Sequence, residues 1–180
     1  LAGEQKAVIR RVLSRKTRFS RKTAGVLDTE QVIATNIDRV FIVQGLDGNF
    51  NPRRLERYLV MAWESGASPV IILNKADLRE CPEDFVAIAE KLAPGIPVHA
   101  VSARTGMGMD AVRAYLKEGE TLAFIGSSGV GKSTIINLLA GRELFKTAEV
   151  RADDSRGRHT TARRQLIVLP GGGMVIDTPG

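Results

Sequence analysis

The chain has 180 residues, 43% of them hydrophobic and 26% charged, which is enough apolar material for one core, while its apolar runs are too short to cross a bilayer. Lys and Arg outnumber Asp and Glu by 26 to 20, a formal net charge of +6 that suits an anionic partner better than a basic one. The lone cysteine, Cys81, excludes an internal disulfide framework, no stretch resembles a signal peptide, and the composition fits a soluble cytoplasmic domain.

In chain order, Ala7-Val8-Ile9-Arg10-Arg11-Val12-Leu13 is a short mixed apolar and basic run, followed by a polar basic stretch. Ile37 to Val43 reads as a strand. Asn51-Pro52 supplies an N-cap with proline in the first helical position, opening a helix to about Ser65 with Leu55, Leu59, Ala62 and Trp63 on its apolar side. Strands at 69–73, 97–101 and 121–125 then alternate with helices near 82–93, 107–117 and 132–140, and strands near 165–169 and 173–177 form a closing hairpin or edge. This alternation predicts an α/β domain, a mainly parallel sheet with helices on both faces.

Two motifs carry the chemistry. Gly126-Ser127-Ser128-Gly129-Val130-Gly131-Lys132-Ser133 follows an apolar strand and opens a helix, the context of a phosphate-binding loop. Its glycines let successive backbone N–H groups approach a polyphosphate, with the helix N-terminus behind them. Lys132 supplies a mobile charge for the β- and γ-phosphates, Ser133 a hydroxyl for Mg2+, and Thr134 continues the helix. The second motif, Asn74-Lys75-Ala76-Asp77, lies upstream, at the carboxyl end of the apolar strand 69–73, where open α/β sheets bind ligands. An Asp77 carboxylate can accept from both the ring N–H and the exocyclic amine of guanine, donors that adenine does not present in that arrangement. Asn74 would brace the base pocket, and the stem of Lys75 can lie along the base. One strand later come Ser102 and Ala103, where the Ala103 N–H is a candidate donor to guanine O6.

At the other end, Asp177-Thr178-Pro179-Gly180 closes a strand, with Asp177 a candidate for the Mg2+ shell and the Gly180 N–H for the γ-phosphate. Gly157-Arg158-His159-Thr160-Thr161 lies between this strand and the phosphate loop. One of the two threonines is the candidate second Mg2+ ligand; Thr161 is favoured, although adjacency alone does not decide between it and Thr160. His159 beside them can orient the attacking water when neutral, or else dock RNA phosphate. His99, within a strand, reads as packing. The motifs alone leave open an ATP-dependent P-loop kinase or ATPase, and a nucleotide-gated RNA-binding module with little turnover.

The residues and their order resemble the circularly permuted GTPases of the RsgA (YjeQ) family: tetrad and Ser-Ala first, then the phosphate loop, Gly-Arg-His-Thr-Thr and Asp-Thr-Pro-Gly. The resemblance implies a three-layer P-loop NTPase fold in permuted order, GTP or GDP as ligand with Mg2+, and Mg2+-dependent GTP hydrolysis with Lys132, His159 and Thr161 as catalytic residues. It further implies a role in late maturation of the small ribosomal subunit, with that subunit and its rRNA as partners, and a cytoplasmic monomer without membrane association. Members carry an N-terminal OB-fold and a C-terminal zinc domain, so residues 1–30 are expected to hold the end of an OB-fold, with Ala7 to Leu13 a candidate for its last strand, and a basic linker, and 31–180 an incomplete GTPase domain. Zinc is expected only in the C-terminal domain that this chain lacks. Basic residues cluster at Lys6, Arg10, Arg11, Arg15, Lys16, Arg18, Arg21 and Lys22, and again at Arg151, Arg156, Arg158, Arg163 and Arg164. Flanking a nucleotide site, such clusters favour phosphate-backbone contact, and with Phe19 the only interleaved aromatic they argue against base stacking.

Overall fold

The computed structural model describes residues 9–22, 30–145 and 165–177. Strand β1 (Arg18–Lys22) pairs antiparallel with β2 (Glu30–Thr35) in a separate ribbon. The main sheet contains β3 (Arg39–Gly45), β4 (Ser68–Asn74), β5 (Val98–Ala100), β6 (Thr121–Ile125), β7 (Gln165–Val168) and β8 (Met174–Asp177), in the spatial order β5-β4-β3-β6-β8-β7. Every neighbouring pair is parallel except β7 with β8. The carboxyl ends of β3, β4, β5, β6 and β8 therefore meet at one edge.

The strands alternate cleanly between two buried faces. Phe41 and Val43 of β3, Val70 and Ile72 of β4, and Leu122 and Phe124 of β6 point into one core with helices α3 (Met109–Arg113) and α4 (Lys132–Ala140). Val40 and Ile42, Ile71 and Leu73, and Ala123 and Ile125 point the other way, against α1 (Pro52–Ser65), α2 (Pro82–Leu92) and Phe19 of β1. Both sheet faces are covered, which is why the central strands are nearly all apolar rather than half polar. Below the sheet, Asp38 ties three segments together: its carboxylate accepts from the Thr121 N–H at 2.7 Å, its N–H donates to Thr121 O, and its carbonyl accepts from Ser68 N–H.

Helix α1 begins as its sequence dictates, with Asn51 Oδ1 accepting from Arg54 N–H at 3.0 Å and Pro52 in the first turn, and it stops at Gly66, whose φ of +80° suits only glycine well. Trp63 departs from the expectation of a core residue, being 53% exposed. The buried stripe is Leu55, Leu59, Ala62 and Ser65, and Trp63 is rotated about 100° from Ala62 at the helical pitch. Helix α3 is also shorter than the expected 107–117: Gly106 and Gly108, at φ +84° and +71°, delay its start, and after Arg113 the chain tightens into turns closed by Tyr115 N–H to Val112 O and Leu116 N–H to Arg113 O. The β1–β2 ribbon straddles the boundary expected at residue 30. The first residues of the run expected to end an OB-fold, Ala7 and Val8, lie outside the described residues, and Ile9 to Leu13 form no strand.

Candidate nucleotide-binding site

The loop from Gly126 to Gly131 joins β6 to α4 at the carboxyl edge. Two of its glycines are forced by contact as well as by φ. A Cβ on Gly126 would come within 2.4 Å of Val43 O, and one on Gly131, at φ +98°, within 2.2 Å of Asn74 Nδ2. Gly131 also precedes α4 without a side-chain cap, so the N–H groups of the first turn face the loop. Lys132 folds back over this loop, its Nζ donating to Gly126 O at 2.7 Å and Ser127 O at 2.9 Å. The Ser127 hydroxyl is buried there with no hydrogen-bond partner among the described residues. Ser128 and Gly129 are exposed, Val130 is buried, and Ser133 and Thr134 are half-buried in the first turn of α4.

Asn74 connects this loop to the base-side elements. It is 2% exposed at the end of β4, donates from Nδ2 to Val130 O at 2.8 Å, and accepts at Oδ1 from Ala103 N–H at 3.0 Å. One amide thus joins the phosphate loop, the β4 end and the loop after β5. The Ala103 N–H, expected to donate to a guanine, already has an internal acceptor and would be shared with a base rather than wholly free.

Lys75 follows with φ +64°, a left-handed conformation rare for a side-chain-bearing residue, and its ammonium pairs with Asp47. Asp77 lies in the 3-10 turn Ala76–Leu78. The Arg104 guanidinium reaches its Oδ2 through Nε at 3.2 Å and Nη2 at 2.6 Å. A hydrogen bond from Ser102, then the one from Arg104, hold the Asp77 carboxyl below the usual carboxylate value, outweighing a weaker opposing effect of burial. Asp77 is therefore an anion at neutral pH, ready to accept two donors.

A pocket of about 310 Å3 is lined by Asn74, Lys75, Asp77 and Ser102 to Arg104 together with Gly131 and Thr134. The tetrad, the Ser-Ala pair and part of the phosphate loop are thus walls of one cavity. Asp177 lies opposite Phe124 in the β6–β8 register, one strand from the phosphate loop. His159, Thr160, Thr161 and Gly180 lie outside the described residues, as does the second basic group. His99 is half-buried and shares a 2.9 Å hydrogen bond with the Tyr115 hydroxyl; burial pushes its pKa down.

Sequence reading missed the residues that brace the base end. Asp47 and Arg104 pair with tetrad residues 28 and 27 positions away, and neither belongs to a recognisable motif. Gln44, fully buried, accepts from Asn51 N–H at 3.2 Å, and Arg79 Nε donates to Leu46 O at 2.6 Å, fixing the loop that carries Asp47. Asp47 and Arg104 themselves carry no mark in the sequence; only Gln44, a polar residue directly after the apolar run 40–43, hints that this strand end is fastened.

Strand order and site together define a P-loop nucleotide-binding domain of the circularly permuted GTPase class, with the base-side strand preceding the phosphate loop in the chain. The RsgA GTPase family model matches residues 12–180, and the chain belongs to that family. It is 52% identical over 170 residues to the small ribosomal subunit biogenesis GTPase RsgA of Xanthomonas oryzae pv. oryzae, covering 94% of this chain and 47% of that protein. With small ribosomal subunit biogenesis GTPase RsgA 2 of Lactiplantibacillus plantarum it shares 48% identity over 180 residues, 99% of this chain and 51% of the other. The chain thus spans about half the length of these curated relatives. Among solved structures it resembles YjeQ from Thermotoga maritima, with TM-score 0.67 and 29% identity over 94% of this chain and 54% of that one. YloQ, a circularly permuted GTPase, shares the fold at TM-score 0.56 and 21% identity, covering 95% of this chain and 58% of its own.

Proposed function

We propose that this domain binds GTP and GDP through its base and phosphate ends at once, hydrolyses GTP, and acts as the switch of a factor for small-subunit maturation. The observation that carries this reading is one pocket walled both by Asp77 and by Gly131 and Thr134. Asp77 accepts from guanine N1–H and the exocyclic amine after Arg104 moves aside. Asn74 keeps the two ends in register, the Ala103 N–H is shared with guanine O6, and the stem of Lys75 lies along the base. Lys132 exchanges the carbonyls of Gly126 and Ser127 for the β- and γ-phosphates, while the N–H groups of residues 127–134 take the remaining oxygens. The glycine cradle and the unpartnered Ser127 hydroxyl fit an anionic occupant.

For Mg2+, the donor set is hard oxygen throughout: Ser133, Asp177, and Thr161 or Thr160. Bound Mg2+ would neutralise charge on the β- and γ-oxygens. His159 orients the attacking water, and the Gly180 N–H receives the γ-phosphate. Zinc belongs only to the C-terminal domain that the resemblance implies, as an OB-fold belongs before residue 31. The exposed Arg10, Arg11, Arg15, Lys16 and Arg18 meet rRNA backbone, in a cytoplasmic protein that is monomeric and free of membranes.

Competition against labelled GDP tests the nucleotide assignment: GTP should displace it at far lower concentration than ATP, and equal displacement would overturn the Asp77 reading. Phosphate release, alone and with stoichiometric small subunits, separates a turning-over GTPase from a nucleotide-gated RNA-binding module. His159→Ala should lower turnover while leaving nucleotide affinity nearly intact; lost affinity would assign His159 a structural role instead.

A further inference from the structure

The loop between β3 and α1 does not itself line the pocket, yet it is fastened to the end of β4, to Arg79 beyond it and to helix α1. Leu46 N–H donates to Asn74 O at 2.8 Å, Arg79 Nε donates to Leu46 O at 2.6 Å, and Arg54 Nη2 donates to Asn49 Oδ1 at 2.6 Å. At its turn, Asp47 forms an ion pair with Lys75, the two side chains being 29% and 22% exposed. Asp47 Oδ1 also folds back against its own strand end, so close to Gly45 that a Cβ there would meet it at 2.7 Å. Asp47 itself is not among the residues lining the cavity, whereas Lys75 is.

We infer that Asp47 is a positioning residue for nucleotide binding: its carboxylate holds Lys75 so that the lysine stem forms a fixed wall for the guanine and ribose. The inference rests on the reading that a guanine nucleotide fills this pocket. A lysine has a flexible four-carbon stem and loses rotamer freedom when a ligand packs against it. Tethering its ammonium to Asp47 removes that freedom before the ligand arrives. The backbone of Lys75, held at φ +64°, fixes the stem at the other end. Both ends are then set by the protein, and the nucleotide meets a preformed surface. Asp47 acts through Lys75, so its effect must vanish when the lysine is shortened.

The test is a double-mutant cycle on the 180-residue chain, read as the dissociation rate of N-methylanthraniloyl-GDP. Asp47→Ala and Lys75→Ala should each raise that rate, Asp47→Ala by about fivefold, the scale of a partly exposed ion pair. In the Lys75→Ala background, Asp47→Ala should add nothing. Asp47→Asn keeps the size and removes the charge, and should reproduce Asp47→Ala. An unchanged rate in Asp47→Ala overturns the inference, as does a fivefold rise that persists without Lys75, which would mean that Asp47 only shapes its loop. An Asp47→Asn that matches the parent also overturns it, because the charge would then be irrelevant. Failure of the parent chain to bind the labelled GDP would instead defeat the nucleotide reading itself.

Discussion

The two ends of the cavity are built by different physics. The phosphate end is made of backbone: positive-φ glycines, an uncapped helix start, and a lysine parked on carbonyls of its own loop. The base end is made of side chains in charged pairs: Asp77 with Arg104, Lys75 with Asp47, and the buried Asn74 amide between them and the loop. Backbone shape tolerates no added atom but is indifferent to pH and salt. Side-chain pairs tolerate small changes in shape but respond to both. Substitutions at the two ends should therefore fail in different ways.

The largest effect is expected at Gly131, where the two ends touch. Gly131→Ala places a methyl 2.2 Å from Asn74 Nδ2 on a backbone at φ +98°. It should weaken GDP binding by about a hundredfold or more, since strain of this kind costs roughly 1–3 kcal/mol before the clash is counted; isothermal titration measures it, and a loss below tenfold would show that the loop yields. Asn74→Ala strands the Val130 carbonyl and the Ala103 N–H, and should lower unfolding free energy by about 2–4 kcal/mol in urea, the cost of leaving two buried groups unpaired.

Smaller effects sharpen the base end alone. Asp77→Asn should forfeit most of the preference for GDP over ADP, because an amide replaces one acceptor with a donor. The Asp77 carboxyl is held below its ordinary value by Ser102 and Arg104. A depressed pKa contributes stability that is fully present above the unfolded value of 3.8 and is lost as pH falls through the lower folded value. Ser102→Ala should shift the carboxyl titration, followed by carbon NMR of the nucleotide-free chain, back towards higher pH. Arg104→Ala should do least, because its side chain is 76% exposed: at low salt, nucleotide association should speed up by no more than about threefold, the range of an exposed pair, and the difference should fade in high salt. Slower association would mean that Arg104 contacts the base instead of competing for Asp77.

This asymmetry also explains what could be read from the sequence. The phosphate loop is local, so Gly126 to Thr134 declares itself in one window, and strands such as 69–73 declare themselves through unbroken apolar runs. The β1–β2 ribbon does not. In its first strand, Arg-Phe-Ser-Arg-Lys, Phe19 is the buried one of the three side chains described, and the partner strand lies beyond an intervening segment. Trp63 misled because hydrophobicity cannot report a rotation of one residue around a helix whose core side is already filled by Leu55, Leu59 and Ala62. Asp47 and Arg104 gave no signal because each sits in a glycine-bearing turn, where a polar residue is the ordinary occupant. Only the folded sheet brings them to the tetrad.

The spatial order β5-β4-β3-β6-β8-β7 has a consequence for how the chain comes off the ribosome that makes it. Of the main sheet, residues 39–103 emerge first and can close β3, β4 and β5 into a parallel unit that already holds Asn74, Asp77 and Ala103, but whose β3 flank stays bare until β6 arrives. Nascent chains fold from the N-terminus, and an unpaired strand edge invites aggregation. The same arrival of β6 delivers Val130 to Asn74, so the β3 edge is covered and the phosphate loop is joined to Asn74 in one event, while the far flank of β6 waits for β8.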